Sequence, residues 1–260
     1  MQILVTGGSG FLGLEIVKQL LALHHQVISI NRNFSKSLHD LGVVQHLVDL
    51  SDLKLLHPLQ SVGKVDAVFH NAAKAGVWGN YGQYFSSNFI ATKNILDWSL
   101  LHGVKHFIYT STPSVVYGES PLENADETLP YPEKYLSAYA QTKAMAEKLV
   151  LQSHKPGTFQ TVAIRPHLIW GKDDPHLIPR LVQRAKCGRL IQVGNGHNLV
   201  DIIHVTNAAH AHLCALEYLQ AQPQNGGNAY FVGQERPIPL WWFIHIISQQ
   251  LIGRSVIGYF

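Results

Sequence analysis

Residues 3–13 of the chain read ILVTGGSGFLG, and residues 14–23 continue with apolar side chains at helical spacing. The order is a short buried strand, a glycine-rich turn and a helix. Glycines at such a turn let the backbone approach a pyrophosphate, and the helix N-terminus offers unpaired N–H groups. In this context the motif predicts dinucleotide binding rather than an ordinary tight turn. The residues expected to surround the phosphates are Gly7, Gly8, Ser9, Gly10, Phe11, Leu12 and Gly13.

The ends of the second and third strands bear on which dinucleotide binds. A site selective for NAD usually carries an acidic residue after the second strand, where it binds the ribose 2′-hydroxyl. Here residues 27–30 form that strand, and Asn31 and Arg32 end it. A neutral side chain followed by a cation suits a 2′-phosphate, so NADP(H) is favoured. NAD(H) is the alternative, with Arg32 then merely solvated. Asp49 and Leu50 follow the third strand and are expected to contact the adenine.

Strands and helical segments alternate through the first two thirds of the chain. Further strands are expected at residues 66–70, 105–109 and 161–164. This pattern predicts an α/β fold with a doubly wound parallel sheet, whose site lies beyond the carboxyl ends of the strands. The residues expected to line the cofactor there are Asn71, Ala72, Ala73, Thr110, Ser111, Pro166, His167 and Leu168. The alternation breaks down after residue 166, so we expect a dinucleotide-binding domain at 1–166 and a smaller substrate-covering lobe at 167–260.

Tyr139 and Lys143 stand four residues apart in a predicted helix, residues 137–152. This spacing places their side chains on one helix face, with the Cβ atoms roughly 5–6 Å apart. An ammonium group beside a phenol stabilises the phenolate, so Lys143 is expected to lower the pKa of Tyr139. Such a pair is a candidate proton donor and acceptor. The bland alternative is a half-buried tyrosine beside a solvated lysine.

Bulk properties exclude several classes of function. The 260-residue chain has a net charge of +3 and no long basic run, so no nucleic-acid partner is expected. Its 16 histidines are scattered without metal-ligand spacing, so no metal is expected. Cys187 and Cys214 give no disulfide framework. No export signal follows Met1, and the apolar segment 240–252 is too short to span a bilayer, so we expect a cytoplasmic protein.

Four segments occur in one order along the chain: TGGSGFLG (6–13), HNAAKAG (70–76), YTSTPSVVYG (109–118) and YAQTK (139–143). Together with IRPHLIWG (164–171) they resemble the extended short-chain dehydrogenase/reductases over essentially the whole chain. Within that superfamily the sequence resembles the 3β-hydroxysteroid dehydrogenase-like branch. Its phrases look most like those of bacterial reductases that convert 2-alkyl-3-oxoalkanoic acids into 3-hydroxy acids in long-chain olefin biosynthesis.

The resemblance implies a function and a role for each catalytic residue. It implies an NAD(P)H-dependent oxidoreductase that transfers hydride to or from an apolar carbonyl or hydroxyl compound, best read as a 2-alkyl-3-oxoalkanoic acid. Tyr139 would transfer the proton, and Lys143 would hold the nicotinamide ribose and depress the tyrosine pKa. Thr112 would bind the substrate oxygen, with Ser111 and Ser114 as alternatives. Many relatives dimerise through helices that include the one carrying Tyr139, so a homodimer is expected.

Two departures from the superfamily pattern concern the substrate. Sugar-nucleotide epimerases usually carry an Arg-Asp pair in the late lobe, whereas this chain has Val200 before Asp201. That valine favours an apolar substrate. So do residues near the expected pocket loops: Val77, Trp78, Leu168, Trp170, Trp241 and Trp242. For the tryptophans among them, ordinary packing is an equally good interpretation. Family members commonly run longer than this chain, so the substrate lobe is expected to be shortened.

Three alternative functions stay open at the level of the sequence. The first is a 3β-hydroxysteroid dehydrogenase, and the second is an NAD-dependent sugar-nucleotide epimerase or dehydratase. The third is a non-catalytic NADP(H)-binding regulator, against which the presence of both Tyr139 and Lys143 argues.

Overall fold

The computed structural model of the chain describes residues 1–52, 59, 62–76, 78–119, 122–175, 177–192 and 194–252. The elements up to the end of the sixth strand are β1 (Gln2–Thr6), α1 (Phe11–Ala22), β2 (Gln26–Asn31), α2 (Lys36–Asp40), β3 (Val44–Leu47), β4 (Ala67–His70), α3 (Tyr81–Tyr84), α4 (Ala91–Leu101), β5 (His106–Thr110), α5 (Ala138–Gln152) and β6 (Gln160–Pro166). The later elements are β7 (Leu168–Trp170), α6 (Leu177–Lys186), β8 (Leu199–Val200), β9 (Ile202–His204), α7 (Val205–Ala221), β10 (Asn228–Val232), β11 (Ile238–Pro239) and α8 (Leu240–Ile252).

The described residues form a seven-stranded parallel sheet in the order β10-β6-β5-β4-β1-β2-β3. Its register aligns the carboxyl ends, because Thr6 lies beside both Ile30 and His70, and Thr110 lies beside Ile164. The doubly wound parallel sheet expected from the sequence is therefore confirmed. The glycine turn after β1 and the hydroxyl-bearing segment after β5 follow strand ends at the same edge.

The central strands are covered on both faces, and their sequences are accordingly continuous apolar runs. Residues 3–5 of β1 are fully buried, and residues 67–69 of β4 are too. Leu4, Val68 and Phe107 share one core cluster with Ile95 of α4 and Val150 of α5, so helices on the sheet complete that core.

The helical stretch expected to begin at Tyr84 and end at Leu101 begins earlier and contains one irregular turn. Residues 81–84 are α-helical, residues 85–90 form a π-helical turn, and residues 91–101 continue as α4. Asn88 is buried within the π-helical turn. Such turns often occur at functional sites.

The seventh strand corrects the expectation that everything after Pro166 belongs to a separate lobe. β10 pairs in parallel with β6, so that Asn228 lies beside Val162. By its contacts the chain divides into one unit of Met1–Pro166 with Ala209–Val232, and a second of His167–Ala208 with the residues from Gly233 on. A single boundary after Pro166 thus does not describe the division, because residues 209–232 return to the sheet.

The second unit has its own small core. β7 pairs in parallel with β9, and β8 pairs antiparallel with β11. Trp241 packs against the cluster formed by α6 and α8, and Trp170 packs edge-on against Phe243. These two tryptophans therefore fit the packing interpretation. Trp78 and Trp242 are exposed, and Val77 lies outside the described residues. Among the residues that the structure describes, the helices lack the length and apolarity that crossing a bilayer requires.

Candidate active site

The turn after β1 has no room for a side chain at two of its glycines. Gly7 has a φ of +67°, and a Cβ there would lie 2.8 Å from the Cα of Ala72. A Cβ at Gly13 would overlap the carbonyl oxygen of Gly7. Gly10 precedes α1 and supplies no side-chain cap, so within the described residues the first N–H groups of the helix lack a side-chain cap. This arrangement fits the phosphates of a dinucleotide.

Asn31 supports this turn from the end of β2. Its Oδ1 accepts hydrogen bonds from the N–H of Ser9 at 3.1 Å and from the hydroxyl of Ser29 at 3.2 Å. Asn31 is buried, whereas Arg32 is exposed beside it. The structure therefore gives Asn31 a role in holding the turn, and leaves the Arg32 cation accessible at the strand end.

Asp49 and Leu50, predicted to contact adenine, differ in their environment. Asp49 is half-buried and accepts hydrogen bonds from the N–H and hydroxyl of Ser51 at 2.9 and 2.7 Å. Partial burial acts to raise the pKa of Asp49, but these bonds and the nearby Arg32 lower it overall. The side chain of Leu50 is buried in the main core, and its carbonyl oxygen accepts from Asn94. Leu50 can therefore offer a ligand little more than its backbone.

His70, the last residue of β4, links the glycine turn to the π-helical segment. Its Nδ1 lies 2.7 Å from Thr6 Oγ1, and its Nε2 lies 2.8 Å from Thr92 Oγ1. The Thr92 hydroxyl donates to the carbonyl oxygen of Asn88, so it accepts the Nε2 proton of His70. Nδ1 then accepts from Thr6, whose oxygen accepts from the N–H of Ala72. Burial lowers the pKa of His70 to about 3, which keeps the ring neutral as this order of bonds requires.

The segment after β4 is fastened to α5 by Asn88. Its Oδ1 accepts from the N–H of Lys74 at 2.7 Å, and its Nδ2 donates to the carbonyl of Lys74 and to the hydroxyl of Thr142. Asn71 donates to the carbonyl oxygen of Gly7 at 3.4 Å. The structure thus places Asn71 and Ala72 against the glycine turn and leaves Ala73 exposed.

The helix that carries Tyr139 and Lys143 begins as the sequence predicts. Ser137 caps it, because its hydroxyl accepts the N–H of Ala140 at 3.2 Å. Small residues allow its buried face to pack closely against the sheet. Lys143 is almost fully buried, and its Nζ donates to the carbonyl oxygen of Thr110 at 2.6 Å.

The hydroxyl-bearing segment after β5 separates the three candidates for binding the substrate oxygen. The hydroxyl of Thr112 acts to lower the pKa of Tyr139, and it lies 3.2 Å from Ser114 Oγ. The hydroxyl of Ser111 is buried and has no hydrogen-bond partner among the described residues. The geometry brings Thr112, Tyr139 and Lys143 together at the end of β5, with Ser114 bonded behind Thr112.

One electrostatic expectation is wrong for this structure. The sequence suggested that Lys143 would lower the pKa of Tyr139. Burial instead raises the pKa of Tyr139, although the Thr112 hydroxyl beside it acts in the opposite direction. The reason is the direction of the ammonium group, which faces the Thr110 carbonyl and lies 4.1 Å from the centre of the Tyr109 ring.

Tyr84 is a neighbour of this site that the sequence did not single out. Its ring meets that of Tyr139 edge-on at 6.4 Å, and its hydroxyl donates to the carbonyl oxygens of Gly76 and Trp78. It is fully buried and therefore fixes the loop beside the phenol. A tyrosine at the start of a predicted helix carries no signal of this role.

The residues predicted after β6 fall in different environments. Pro166 is buried at the end of β6 beside Val232. His167 and Leu168 belong to the second unit, where His167 Nδ1 lies 4.0 Å from Asp201 Oδ2. Burial lowers the pKa of His167, and the Asp201 carboxylate opposes this. Leu168 donates its N–H to the carbonyl of Asp201 at 3.3 Å and is partly exposed.

Comparison with known proteins decides the family. The profile of the 3-beta hydroxysteroid dehydrogenase/isomerase family matches residues 4–255. The chain belongs to this family. It is 45% identical over 243 residues to a 2-alkyl-3-oxoalkanoate reductase of Stenotrophomonas maltophilia, covering 92% of this chain and 72% of that protein. The corresponding protein of Shewanella oneidensis is 38% identical, with 94% and 64% covered.

Other relatives in the family carry a different name. The sterol-4-alpha-carboxylate 3-dehydrogenase (decarboxylating) of Bos taurus is 38% identical over 244 residues, covering 92% of this chain and 67% of that protein. The chain thus spans about two thirds of the length of these relatives, which are all named as reductases or dehydrogenases.

Solved structures agree on the fold. A UDP-galactose 4-epimerase superimposes with a TM-score of 0.83 at 24% identity, covering 100% of this chain and 86% of its own. The Thermus thermophilus UDP-glucose 4-epimerase in complex with NAD gives a TM-score of 0.77 at 25% identity, with 99% and 85% covered. The chain therefore shares its Rossmann-like fold with these two epimerases.

Proposed function

We propose that this protein is an NADP(H)-dependent oxidoreductase that interconverts a 2-alkyl-3-oxoalkanoic acid and the corresponding 3-hydroxy acid. The observation that carries the proposal is the placement of Lys143, which is buried one helical turn after Tyr139 and donates to the carbonyl oxygen of Thr110, two residues before Thr112. The 45% identity to a relative named for that substrate supports the choice. Two free, exposed cysteines fit a reducing compartment, so we propose that the enzyme works in the cytoplasm.

The chain's own residues would bind the oxygen and move the proton. A bound nicotinamide would supply or accept the hydride. Thr112 would hold the substrate oxygen, and Tyr139 would give its proton to that oxygen during reduction. Because burial keeps the pKa of Tyr139 raised, the phenol stays protonated at neutral pH and can act as the acid. Lys143 would hold the nicotinamide ribose.

The preference for NADP(H) rests on the end of β2. Arg32 is exposed there, and the side chain beside it is the neutral Asn31 rather than a carboxylate. Asn31 already uses its oxygen to hold the glycine turn. A guanidinium group is a strong partner for a 2′-phosphate. The family fits either nicotinamide cofactor, and Arg32 is the group that would select between them.

The relatives' names suggest what the substrates share. A 2-alkyl-3-oxoalkanoate and a sterol-4-carboxylate that is oxidised at carbon 3 both carry a carboxylate on the carbon next to the reacting carbon. Both also have a large apolar body. We therefore propose an α-branched β-oxo or β-hydroxy acid as the substrate class, with the alkyl acid first and the sterol acid second. Val200, in the position where epimerases carry arginine, argues against a sugar nucleotide.

The experiment that tests this compares hydroxy acids in the oxidative direction, because β-hydroxy acids are stable whereas β-oxo acids lose carbon dioxide. The purified protein is incubated with NADP⁺ and 2-alkyl-3-hydroxyalkanoic acids of increasing chain length, and NADPH formation is followed. A sterol 3-hydroxy-4-carboxylic acid, a 3-hydroxysteroid without the carboxylate and a UDP-sugar are tested beside them.

Each outcome selects one reading. Turnover that rises with the alkyl chain and needs the carboxylate supports the proposal. Faster turnover of the sterol acid favours a sterol acid as the substrate. Turnover of the carboxylate-free steroid shows that the carboxylate is not needed and rejects the proposed substrate class. Conversion of the UDP-sugar without net cofactor consumption identifies an epimerase. NADPH binding with no turnover on the whole panel indicates a regulator.

A further inference from the structure

The first unit contains a buried ion pair whose carboxylate lies one helical turn after Lys143 on α5. Glu147 and Arg165 are 0% and 3% exposed. Their contact is bidentate, with Arg165 Nη2 2.6 Å from Glu147 Oε1 and Nε 3.0 Å from Oε2. The hydroxyl of Tyr131 donates to Glu147 Oε1 at 2.6 Å. The Arg165 guanidinium also lies over the rings of Tyr131 and Phe231. The carboxylate thus accepts three hydrogen bonds, two from Arg165 and one from Tyr131.

Stability alone is a poor reason for this pair. Removing two charges from water costs so much that apolar residues of the same size are often as stabilising as a buried pair. The cluster nevertheless places two ionised groups inside a core between α5 and β6. A use for the charge therefore has to be sought among the groups around it.

Lys143 lies one helical turn before Glu147 on α5. Tyr139, Lys143 and Glu147 follow one another at intervals of four residues, so they share one face of the helix. Lys143 is 2% exposed, and the contacts of its ammonium group are the Thr110 carbonyl and the face of the Tyr109 ring. Neither contact supplies a full negative charge.

We propose that Glu147 is a positioning residue for Lys143: its carboxylate, held by Arg165 and Tyr131, favours the ammonium form of the lysine inside the core. The role rests on the proposed function, in which Lys143 must hold the nicotinamide ribose as a cation. Glu147 touches neither substrate nor cofactor in this role and acts through the lysine one turn before it.

The electrostatics around Lys143 agree with this geometry. Burial lowers the pKa of Lys143 to about 7, and the Glu147 carboxylate opposes that decrease. The titratable and charged groups that surround the lysine from the packed elements are His70 on β4, Tyr109 on β5, Tyr139 and Glu147 on α5, Arg165 on β6, Tyr131 before α5, and His212 on α7, which bonds to Thr110. Among these groups Glu147 is the carboxylate.

The test uses the pH dependence of unfolding, which needs no turnover. A lysine whose folded pKa lies below its unfolded value is protonated in the unfolded chain and neutral in the folded chain between the two values. Across that window the unfolded state binds more protons, so the free energy of unfolding rises with pH. For Lys143 the rise begins near the folded pKa of about 7 and ends near the unfolded value of 10.5.

Two variants that each remove one half of the ion pair should shift this onset in opposite directions. Glu147→Gln removes the opposing carboxylate, so the rise should begin about one pH unit lower. Arg165→Gln removes the cation that offsets the Glu147 carboxylate. The carboxylate then raises the pKa of Lys143 further, so the rise should begin at higher pH. Both proteins are unfolded with urea between about pH 6 and pH 9, and each is repeated in a Lys143→Met background. Neither shift should survive in that background.

A control separates the proposal from mere loss of stability. Gln160 lies at the other end of β6, is buried and donates to the carbonyl of Pro223. Gln160 also acts to raise the pKa of His106, which burial holds below its usual value. Above about pH 7, where His106 is neutral, Gln160→Met should therefore lower the free energy of unfolding by a constant amount without moving the onset. The proposal is overturned if the two ion-pair variants move the onset in the same direction, leave it in place, or move it equally without Lys143.

The test depends neither on a single variant nor on the outcome of the activity assay. If Glu147→Gln does not fold, Arg165→Gln and its Lys143→Met partner still decide the matter. A wild-type protein without turnover would remove the proposed function, whereas the unfolding experiment would still report whether Glu147 sets the charge of Lys143.

Discussion

At the scale of single residues, the phenol of Tyr139 carries the proposed proton transfer. It lies beside Thr112 and packs against Tyr84, and its raised pKa keeps it protonated at neutral pH. Removing the hydroxyl alone should leave the packing of the ring intact, so a phenylalanine at this position tests the role of the oxygen by itself.

Tyr139→Phe should therefore lower kcat by about 10²- to 10⁴-fold, the usual contribution of a positioned proton donor. NADPH affinity, measured by fluorescence titration, should change little. Tyr135→Phe, a half-buried tyrosine four residues earlier, is the matched control and should keep wild-type turnover. Undiminished turnover in Tyr139→Phe would contradict the assigned role.

Arg32 supports a second prediction at this scale. Loss of a charge-assisted contact to a 2′-phosphate costs about 1.5–3 kcal/mol, so Arg32→Ala should weaken NADPH binding about 10- to 100-fold. NADH binding should stay the same, because NADH lacks that phosphate. Lys64→Ala, which removes another exposed cation away from the turn, should affect neither cofactor. An equal loss for both cofactors would show that Arg32 does not read the phosphate.

At the scale of elements, the βα turn depends on the absence of side chains at two glycines. A Cβ at Gly13 would collide with the carbonyl oxygen of Gly7, where the first turn of α1 passes under the loop. The clash is with backbone, which cannot rotate away as a side chain could.

Gly13→Ala should therefore displace the turn, abolish NADPH binding at cofactor concentrations that saturate the wild type, and destabilise the fold by about 1–3 kcal/mol. Gly63→Ala is the matched control, because a Cβ there would meet its nearest atom at an ordinary 3.8 Å. Thermal unfolding and NADPH titration check both variants. Wild-type affinity in Gly13→Ala would show that the phosphates bind elsewhere.

At the scale of the whole molecule, we propose that two chains associate through the face of the segment containing α3 and the π-helical turn. Tyr81 stacks on Phe85 at 5.9 Å, and Phe85 meets Phe89 at 5.1 Å. Tyr81 is 45% exposed and its hydroxyl approaches the sulfur of Met145 on α5. This aromatic row is the kind of surface that a second copy would cover.

Phe85→Glu should convert a dimer into a monomer, because it would bury an unpaired charge at the interface. Size-exclusion chromatography with light scattering measures the mass. Phe34→Glu, at a phenylalanine that is 60% exposed elsewhere on the chain, should leave the mass unchanged. A wild-type protein that elutes as a monomer would remove the proposal.

The sequence predicted six of the strands because each has a local signature. Buried parallel strands read as short apolar runs between helical segments, and β1, β4 and β5 stand out in this way. β10 was missed because NAYFV after a glycine pair reads equally well as a strand of a separate lobe. Its pairing with β6 is a contact between segments far apart in the chain. The π-helical turn was missed because it disturbs helical spacing too little to be read.

The local sequence is sufficient to predict the glycine turn, the parallel sheet and the Tyr139–Lys143 spacing. These features follow from local requirements: room for backbone, apolar periodicity, and the four-residue repeat of a helix. The charge environment of the pair depends instead on the tertiary structure. Lys143 faces the Thr110 carbonyl, 33 positions away, and Glu147 meets Arg165 across 18 positions. A pKa depends on burial and on neighbours in space, and a one-dimensional pattern holds neither.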